Sequence, residues 1–587
     1  MKSISNTSSF NNLLPSSQNI LFSNDKIQKQ NHQFGAFFGR IRNEKLQKID
    51  WHDYEQIKKD AQRIGFGENG KSEKLDETEK SLEDDFFRQN GFNALLSDKI
   101  SINRSIPDIR HVKCKEKKYL SELPSVSVII PFYNEHFSTL LRTVYSVINR
   151  SPSDLLNEII LVDDCSKKDF LKDKLDSYVR ENLPKVKIVR MKERGGLVTA
   201  RTAGAKIANG DVLIFLDSHT EANVNWLPPL IEPIAENYRI CVCPFIDVIA
   251  YDTFEYRAQD EGARGAFDWQ LFYKRLPLTK KDLENPTEPF NSPVMAGGLF
   301  AISSKFFWEL GGYDEGLQIW GGEQYELSFK IWQCHGKIVD APCSRVGHIY
   351  RKFASFDSGG KGDYLTRNHK RVVETWMDEP YKSYVYNKNL RYKSVDAGDL
   401  TKQKEIREKL KCKSFDWFMK EVAFDLMDKY PPVEPPDFAN GAIWSISNPN
   451  FCVDTMNGQS ENDRVSLNTC SSDLKNPRHS QFFALSWQRD IRLKNLKTQC
   501  WDVSESGNAP IVIYGCHAMQ GNQLFRYLLD TKQIQHVITS RCLDADFQTM
   551  KLFVSNCDSN SLNQKWNFGN VNSTALNNWE ISGAKLI

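Results

Sequence analysis

Short apolar runs alternate with amphipathic stretches between residues 126 and 219. Val126 to Ile130 runs into Pro131-Phe132-Tyr133-Asn134-Glu135 and reads as a buried strand entering a loop, with Leu140 to Val147 as the following helix. Glu158 to Val162 repeats the pattern, ending in Asp163-Asp164, and the stretch Arg194-Gly195-Gly196-Leu197 leads into a helix-like Thr199 to Ala208. A third run, Val212 to Leu216, ends in Asp217-Ser218-His219. Strands alternating with helices predict an α/β domain, and the polar strand ends should gather at the C-terminal edge of its sheet, where open α/β folds bind ligands. No GxGxxG or Walker pattern is present, which argues against a dinucleotide or P-loop site.

Beyond Tyr430 the pattern changes. Pro431, Pro432, Pro435 and Pro436 mark a linker over residues 430–440. After it come short strands with internal repetition. Cys452-Val453-Asp454 is followed by Cys470 and Gln481; Cys500-Trp501-Asp502 by Cys516 and Gln523; Cys542-Leu543-Asp544 by Cys557 and Gln564. The repeat starts are 48 and 42 residues apart (500 minus 452; 542 minus 500), and three such units predict an all-β trefoil over 441–587. Residues 1–80 are polar and rich in Asn, Gln, Ser and Lys, which predicts a weakly ordered stem, and leave 81–429 for the α/β domain. At 587 residues, 40% hydrophobic and 26% charged, the chain is long enough for two or more globular domains; a net charge of +2 gives no reason to expect nucleic acid.

The strand-end pair Asp217 and His219 can hold a divalent metal, an oxygen ligand beside a nitrogen ligand suiting Mn²⁺; the competing reading is a turn-forming Asp. Met295-Ala296-Gly297-Gly298-Leu299-Phe300 removes side chains where something must approach the backbone closely. Trp320-Gly321-Gly322-Glu323 sets an aromatic plate and a carboxylate on a turn, and Cys343-Ser344-Arg345-Val346-Gly347-His348 supplies another imidazole, either a ligand or a satisfied histidine, ahead of Arg351 and Lys352.

FYNE, LLRTV, ILVDD, RGGL, FLDSH, FDW, AGGLF, WGGE, SRVGH and WMDE occur here in the order found in the polypeptide N-acetylgalactosaminyltransferases, and the chain resembles that family from about Gly91 to its end. The resemblance implies a GT-A catalytic domain followed by a ricin-type β-trefoil lectin. It implies a retaining transfer of GalNAc from UDP-GalNAc to Ser or Thr hydroxyls of a peptide or glycopeptide, the start of mucin-type O-glycosylation. By the same resemblance, Asp217, His219 and His348 are the Mn²⁺ ligands. Asp164, Arg194, Asp217, Ser218, Ala296, Gly297, Gly298 and Arg351 face the donor. Glu323 orients substrates, with Trp320 flanking the reacting centre. Departure of UDP leaves positive charge at the anomeric carbon. We expect front-face attack, a diphosphate oxygen taking the acceptor's proton. Phe267, Trp269 and Trp320 are expected to pack on an extended, Pro-rich acceptor, with burial in the core as the competing reading for the aromatics, and Phe353 to Gly362 to form a lid, a plain surface loop being the alternative.

The repeats resemble ricin-type lectin repeats, whose Asp and Asn bind sugar hydroxyls; this implies GalNAc binding at Asp502, His517 and Asn522 first and at Asp544 and Asn563 next, and disfavours the first repeat, where Ser480 replaces Asn. Of 13 cysteines, the repeats account for Cys452 to Cys470, Cys500 to Cys516 and Cys542 to Cys557; the resemblance pairs Cys114 with Cys343 and Cys334 with Cys412, leaving Cys165, Cys241 and Cys243 as buried thiols. Disulfides imply an oxidising lumen, and the family implies the Golgi or another part of the secretory pathway; the first 50 residues hold no apolar run near the ~20 residues of a span and no clear signal peptide. Tyr133 stands where the family has His, and Gln324 where it has Asn. A second reading is therefore an inactive homologue that acts as a lectin, and a third is transfer from another UDP-sugar.

Overall fold

The computed structural model describes residues 47–259, 262–353, 360–504 and 506–583. The sheet of the α/β unit orders its strands Phe290–Asn291, Lys337–Ile349, Ile240–Ile249, Phe300–Ser303, Val212–Phe215, Val126–Phe132, Leu156–Asp163 and Val186–Arg190. The Val212, Val126, Leu156 and Val186 strands run parallel, and Phe300–Ser303 lies antiparallel between Val212–Phe215 and Ile240–Ile249. The Val212, Val126 and Leu156 strands are largely apolar on both faces because both faces are covered, while the edge strand Val186–Arg190 is only partly buried. Ile160 and Val162 enter one core with Ile129, Leu213 and Phe215, while Ile159 and Leu161 enter the other with Val126, Val128 and Ile214.

Helices set the polar strand ends in place. Phe137–Asn149 buries Leu140, Leu141, Val144 and Val147 against the sheet. Its Thr143 hydroxyl accepts from the Thr220 amide at 2.9 Å and its Ser146 hydroxyl from the Ala222 amide at 3.0 Å. The short strand Thr220–Ala222 is thereby pinned, and it pairs antiparallel with the long strand, Thr220 opposite His348. That pairing brings Asp217-Ser218-His219 beside a residue more than a hundred positions away in sequence.

The all-β unit spans Ala439 to Val571, its strand pairs stapled by Cys452–Cys470, Cys500–Cys516 and Cys542–Cys557. Trp501, Trp566, Phe483 and Phe525 fill its centre. In each repeat a buried Gln ties the fold: Gln481, Gln523 and Gln564 donate through Nε2 to Asp454, Asp502 and Asp544 at 3.0, 3.1 and 3.0 Å, and to a backbone carbonyl at 2.9 Å. Cys114–Cys343 and Cys334–Cys412 cross-link the α/β unit.

Two sequence expectations change. The stem expected to run to residue 80 carries regular elements from residue 48: Lys48–Ile49 pairs with Tyr119–Leu120, and Tyr54–Ala61 is a helix capped by Asp53. A polar composition hid them because they are held by contacts with the α/β unit, such as Trp51 Nε1 donating to the Leu120 carbonyl at 2.9 Å. Of the three free thiols, Cys241 and Cys243 are buried, but Cys165 is only half-buried, on a loop with positive φ.

Candidate active site

A cavity of about 690 Å³ opens at the C-terminal edge of the parallel strands. Asp217, Ser218 and His219 line it together with His348, and the ligand atoms of Asp217, His219 and His348 lie within 4.8 Å of one another. His348 Nε2 is 3.4 Å from Asp217 Oδ2. One carboxylate oxygen and two imidazole nitrogens at that spacing form a donor set for a borderline divalent ion. The buried Arg201 guanidinium donates to Asp217 Oδ1 at 3.0 Å and to the Gly298 carbonyl at 3.2 Å. Burial alone would raise the Asp217 carboxyl, but the His348 hydrogen bond and the Arg201 charge hold it well below the usual carboxylate range. Burial and the Arg351 charge depress His219, keeping its imidazole neutral and able to act as a ligand.

Gly298 is required by close approach: a Cβ there would stand 2.3 Å from Asp217 Oδ2. Ala296 and Gly297 continue that wall, and Gly297 presents open space with φ of +138°. On the far side Asp164 accepts from Arg194 Nη1 at 2.8 Å and from the amides of Gly195 and Gly196 at 2.7 and 2.9 Å. The Arg194 guanidinium lies 3.4 Å over the Tyr133 ring, so the residue that departs from the family's His packs on a cavity arginine. Glu323 begins the helix Glu323–Gln333 and lines the cavity while only 4% exposed. Its Oε2 has no hydrogen-bond partner among the described residues, and burial pushes its carboxyl up despite the Arg201 charge. Trp320 is 46% exposed at the rim.

Phe267 and Trp269 are not at an acceptor surface. Both are essentially buried: Trp269 stacks on Tyr381 at 6.0 Å and donates Nε1 to the Tyr430 carbonyl at 2.7 Å, and Phe267 meets Phe329 at 5.4 Å. The rings expected to pack on an acceptor pack in the core instead. Residues 354–359 of the expected lid lie outside the described residues, while Arg351 donates to Glu135 Oε2 at 2.6 Å. Sequence reasoning gave no role to Glu135 or Arg201. The signal for each was a charged residue within an otherwise apolar strand-loop or helix pattern.

In the second repeat of the all-β unit, Asn522 donates to Asp502 at 2.7 Å and its Oδ1 meets His517 Nε2 at 3.1 Å, so the three expected residues form one cluster. The third repeat does not assemble the same way. Asp544 accepts from Ser555 at 2.6 Å, while Asn563 takes the Ser447 hydroxyl at 3.0 Å. In the first, Arg478 donates to Asp454 at 2.9 Å and covers the carboxylate.

Residues 127–311 match the family model for glycosyl transferase family 2, 279–353 that for the N-terminal domain of galactosyltransferase, and 439–566 that for the ricin-type beta-trefoil lectin domain. The chain is 56% identical over 537 residues to N-acetylgalactosaminyltransferase 6 of Drosophila melanogaster, covering 91% of this chain and 80% of that protein. It is 49% identical over 534 residues to polypeptide N-acetylgalactosaminyltransferase 10 of Homo sapiens, covering 90% and 87%. The crystal structure of GalNAc-T7 with UDP, GalNAc and Mn2+ superposes with a TM-score of 0.60 at 39% identity, covering 86% of this chain and 93% of that one.

Proposed function

The chain belongs to the polypeptide N-acetylgalactosaminyltransferases, and on that premise we propose how its cavity moves N-acetylgalactosamine from UDP-GalNAc to a Ser or Thr hydroxyl of a polypeptide with retention at the anomeric carbon. The catalytic unit is a GT-A domain and the C-terminal unit a β-trefoil. What carries the reading is the convergence of Asp217, His219 and His348 on a cavity whose other walls are the Ala296-Gly297-Gly298 turn and the Asp164–Arg194 pair.

Asp217, His219 and His348 would hold Mn²⁺, which when bound supplies positive charge against a departing diphosphate. Arg351, beside His219, adds a fixed cation on the same side. Arg194, held flat by Tyr133 and Asp164, faces the nucleoside, and the side-chain-free turn at Gly297 and Gly298 lets the sugar lie against backbone. Glu323, raised by burial and with one oxygen unengaged among the described residues, accepts a hydroxyl hydrogen bond and orients the sugar and the acceptor. The acceptor hydroxyl enters beside the leaving group and gives its proton to a diphosphate oxygen. The trefoil's second repeat holds GalNAc already on a glycopeptide and raises the local concentration of nearby acceptor sites. Five disulfides favour an oxidising lumen, for which we propose the Golgi; no helix among the described residues is long and apolar enough to cross a membrane.

The test is incubation with UDP-GalNAc, Mn²⁺ and a Thr-rich peptide or glycopeptide, with Asp217→Ala as control. Transfer that needs both Mn²⁺ and Asp217 is expected. Absence of transfer, with GalNAc-sensitive glycopeptide binding intact, would leave the chain a lectin.

A further inference from the structure

Glu135 is 2% exposed, and both oxygens of its carboxylate accept hydrogen bonds. Oε1 accepts from the His136 amide at 2.9 Å. Oε2 gathers three groups at once: Ser218 Oγ at 2.8 Å, His219 Nδ1 at 2.9 Å and Arg351 Nη2 at 2.6 Å. The loop that delivers it is fixed by Asn134, whose φ is +50° and whose Oδ1 accepts from the Lys167 amide at 2.6 Å while its own amide donates to Ser166 Oγ at 2.9 Å. That left-handed step separates Tyr133, packed on Arg194, from Glu135, packed under the metal ligands.

We propose that Glu135 is a positioning residue that locks His219 in the tautomer carrying its proton on Nδ1, leaving the Nε2 lone pair for the metal, and that ties Arg351 to the same oxygen. The proposal rests on the metal reading of Asp217, His219 and His348. The alternative for His219 is to accept from Arg351, which lies 3.3 Å from Nδ1. An ionised acceptor at 2.9 Å wins over a donor at 3.3 Å that is already engaged at 2.6 Å. A carboxylate cannot donate, so the Nδ1 facing it must. Arg351 also reaches the Asn90 carbonyl through Nη1 at 3.1 Å and covers the Phe92 ring, so one carboxylate sets the orientation of a metal ligand and of the cation beside it.

The full chain, labelled with ¹⁵N-histidine and free of metal, reads the tautomer directly, with His219 assigned by the signals missing from His219→Gln. A protonated Nδ1 and a bare Nε2 are expected; the reverse assignment overturns the proposal without Glu135 being touched. In Glu135→Gln, whose amide can present a donor to Nδ1, Mn²⁺ affinity without nucleotide, read from the spin-resonance signal of free Mn²⁺, should fall roughly 10- to 100-fold. Unchanged affinity in a folded Glu135→Gln chain also overturns it. If the variant does not fold, the tautomer of the unsubstituted chain decides. Failure of the unsubstituted chain to bind Mn²⁺ strikes the metal reading instead, which keeps the two failures apart.

Discussion

The catalytic cavity and the second trefoil repeat each assemble a carboxylate and histidine chemistry from one short and one longer reach of chain, but in opposite ways. Asp217 and His219 meet His348 only because a strand after the first pair lies antiparallel to the strand carrying the second histidine. Asp502, His517 and Asn522 sit within a single repeat, and the Gln that completes it is built from the same stretch. A site made by sheet pairing depends on the whole domain and can be buried, where cations and hydrogen bonds act with little solvent screening. A site made inside a repeat is copied with the repeat and can then diverge copy by copy. The three trefoil repeats show this: the Gln–Asp tie is kept in all three, while the outer partner is Asn522 in the second, Ser555 in the third and Arg478 in the first.

The largest expected effect is at the non-local site. Asp217→Asn keeps the shape but removes the charge that balances Arg201 and that would hold the proposed metal, and peptide transfer should fall by at least ~10²- to 10³-fold, measured as kcat/KM with a Thr-rich peptide. Residual activity within tenfold of the parent would mean the cavity does not work through this carboxylate. The local site should behave otherwise. Asp502→Asn should abolish GalNAc-sensitive glycopeptide binding and raise KM for distant glycopeptide acceptors roughly tenfold, leaving transfer to unglycosylated peptide within about twofold. Asp544→Asn should do much less, since Asn563 is engaged by Ser447 rather than by that Asp. Equal losses in the two variants would erase the distinction between the repeats.

The same contrast explains what the sequence made legible. Alternating apolar runs placed the parallel strands, and the regular spacing of Cys-x-Asp and Gln placed three repeats, because both signals are local. Asp217 and His219 could be paired from spacing alone; His348 stood out only as an imidazole that was either a ligand or a satisfied histidine, and the resemblance alone joined it to them. Glu135 and Arg201 escaped because a buried charge is legible only once its partners are known, and those partners come from other strands and loops. Phe267 and Trp269 misled for the converse reason: an aromatic pair looks the same in sequence whether it faces a ligand or Tyr381 and Phe329.

Exposed and buried aromatics should part in the same way. Trp320, 46% exposed at the rim, should act on function alone: Trp320→Ala should raise acceptor KM several-fold with little change in Tm. Trp269, 1% exposed, should act on the fold, its truncation to Ala costing about 3–5 kcal/mol, seen as a lowered Tm. A Trp269→Ala chain with parental Tm and a raised acceptor KM would return that residue to the acceptor surface.

The smallest effect is a dependence on pH carried by His369, which is 7% exposed beneath the turn that holds Trp320 and Glu323. Its ring lies 6.0 Å from that of Tyr325 and close to Gly322, and Nδ1 meets the Tyr392 hydroxyl at 3.2 Å. Burial lowers its pKa from 6.5 to about 4. The folded chain therefore holds it neutral while the unfolded chain protonates it near 6.5, so this contribution to stability is complete above that pH and is lost as pH falls toward 4. The full gap corresponds to about 3 kcal/mol, and between pH 7.5 and pH 5 about half of it or a little more should be felt. The catalytic domain's Tm should fall over that interval, and His369→Gln, which cannot be protonated, should flatten the fall while the trefoil's own transition stays unmoved. An unaltered slope in His369→Gln would place the acid sensitivity elsewhere and leave the Glu323 turn no more pH-dependent than the repeats.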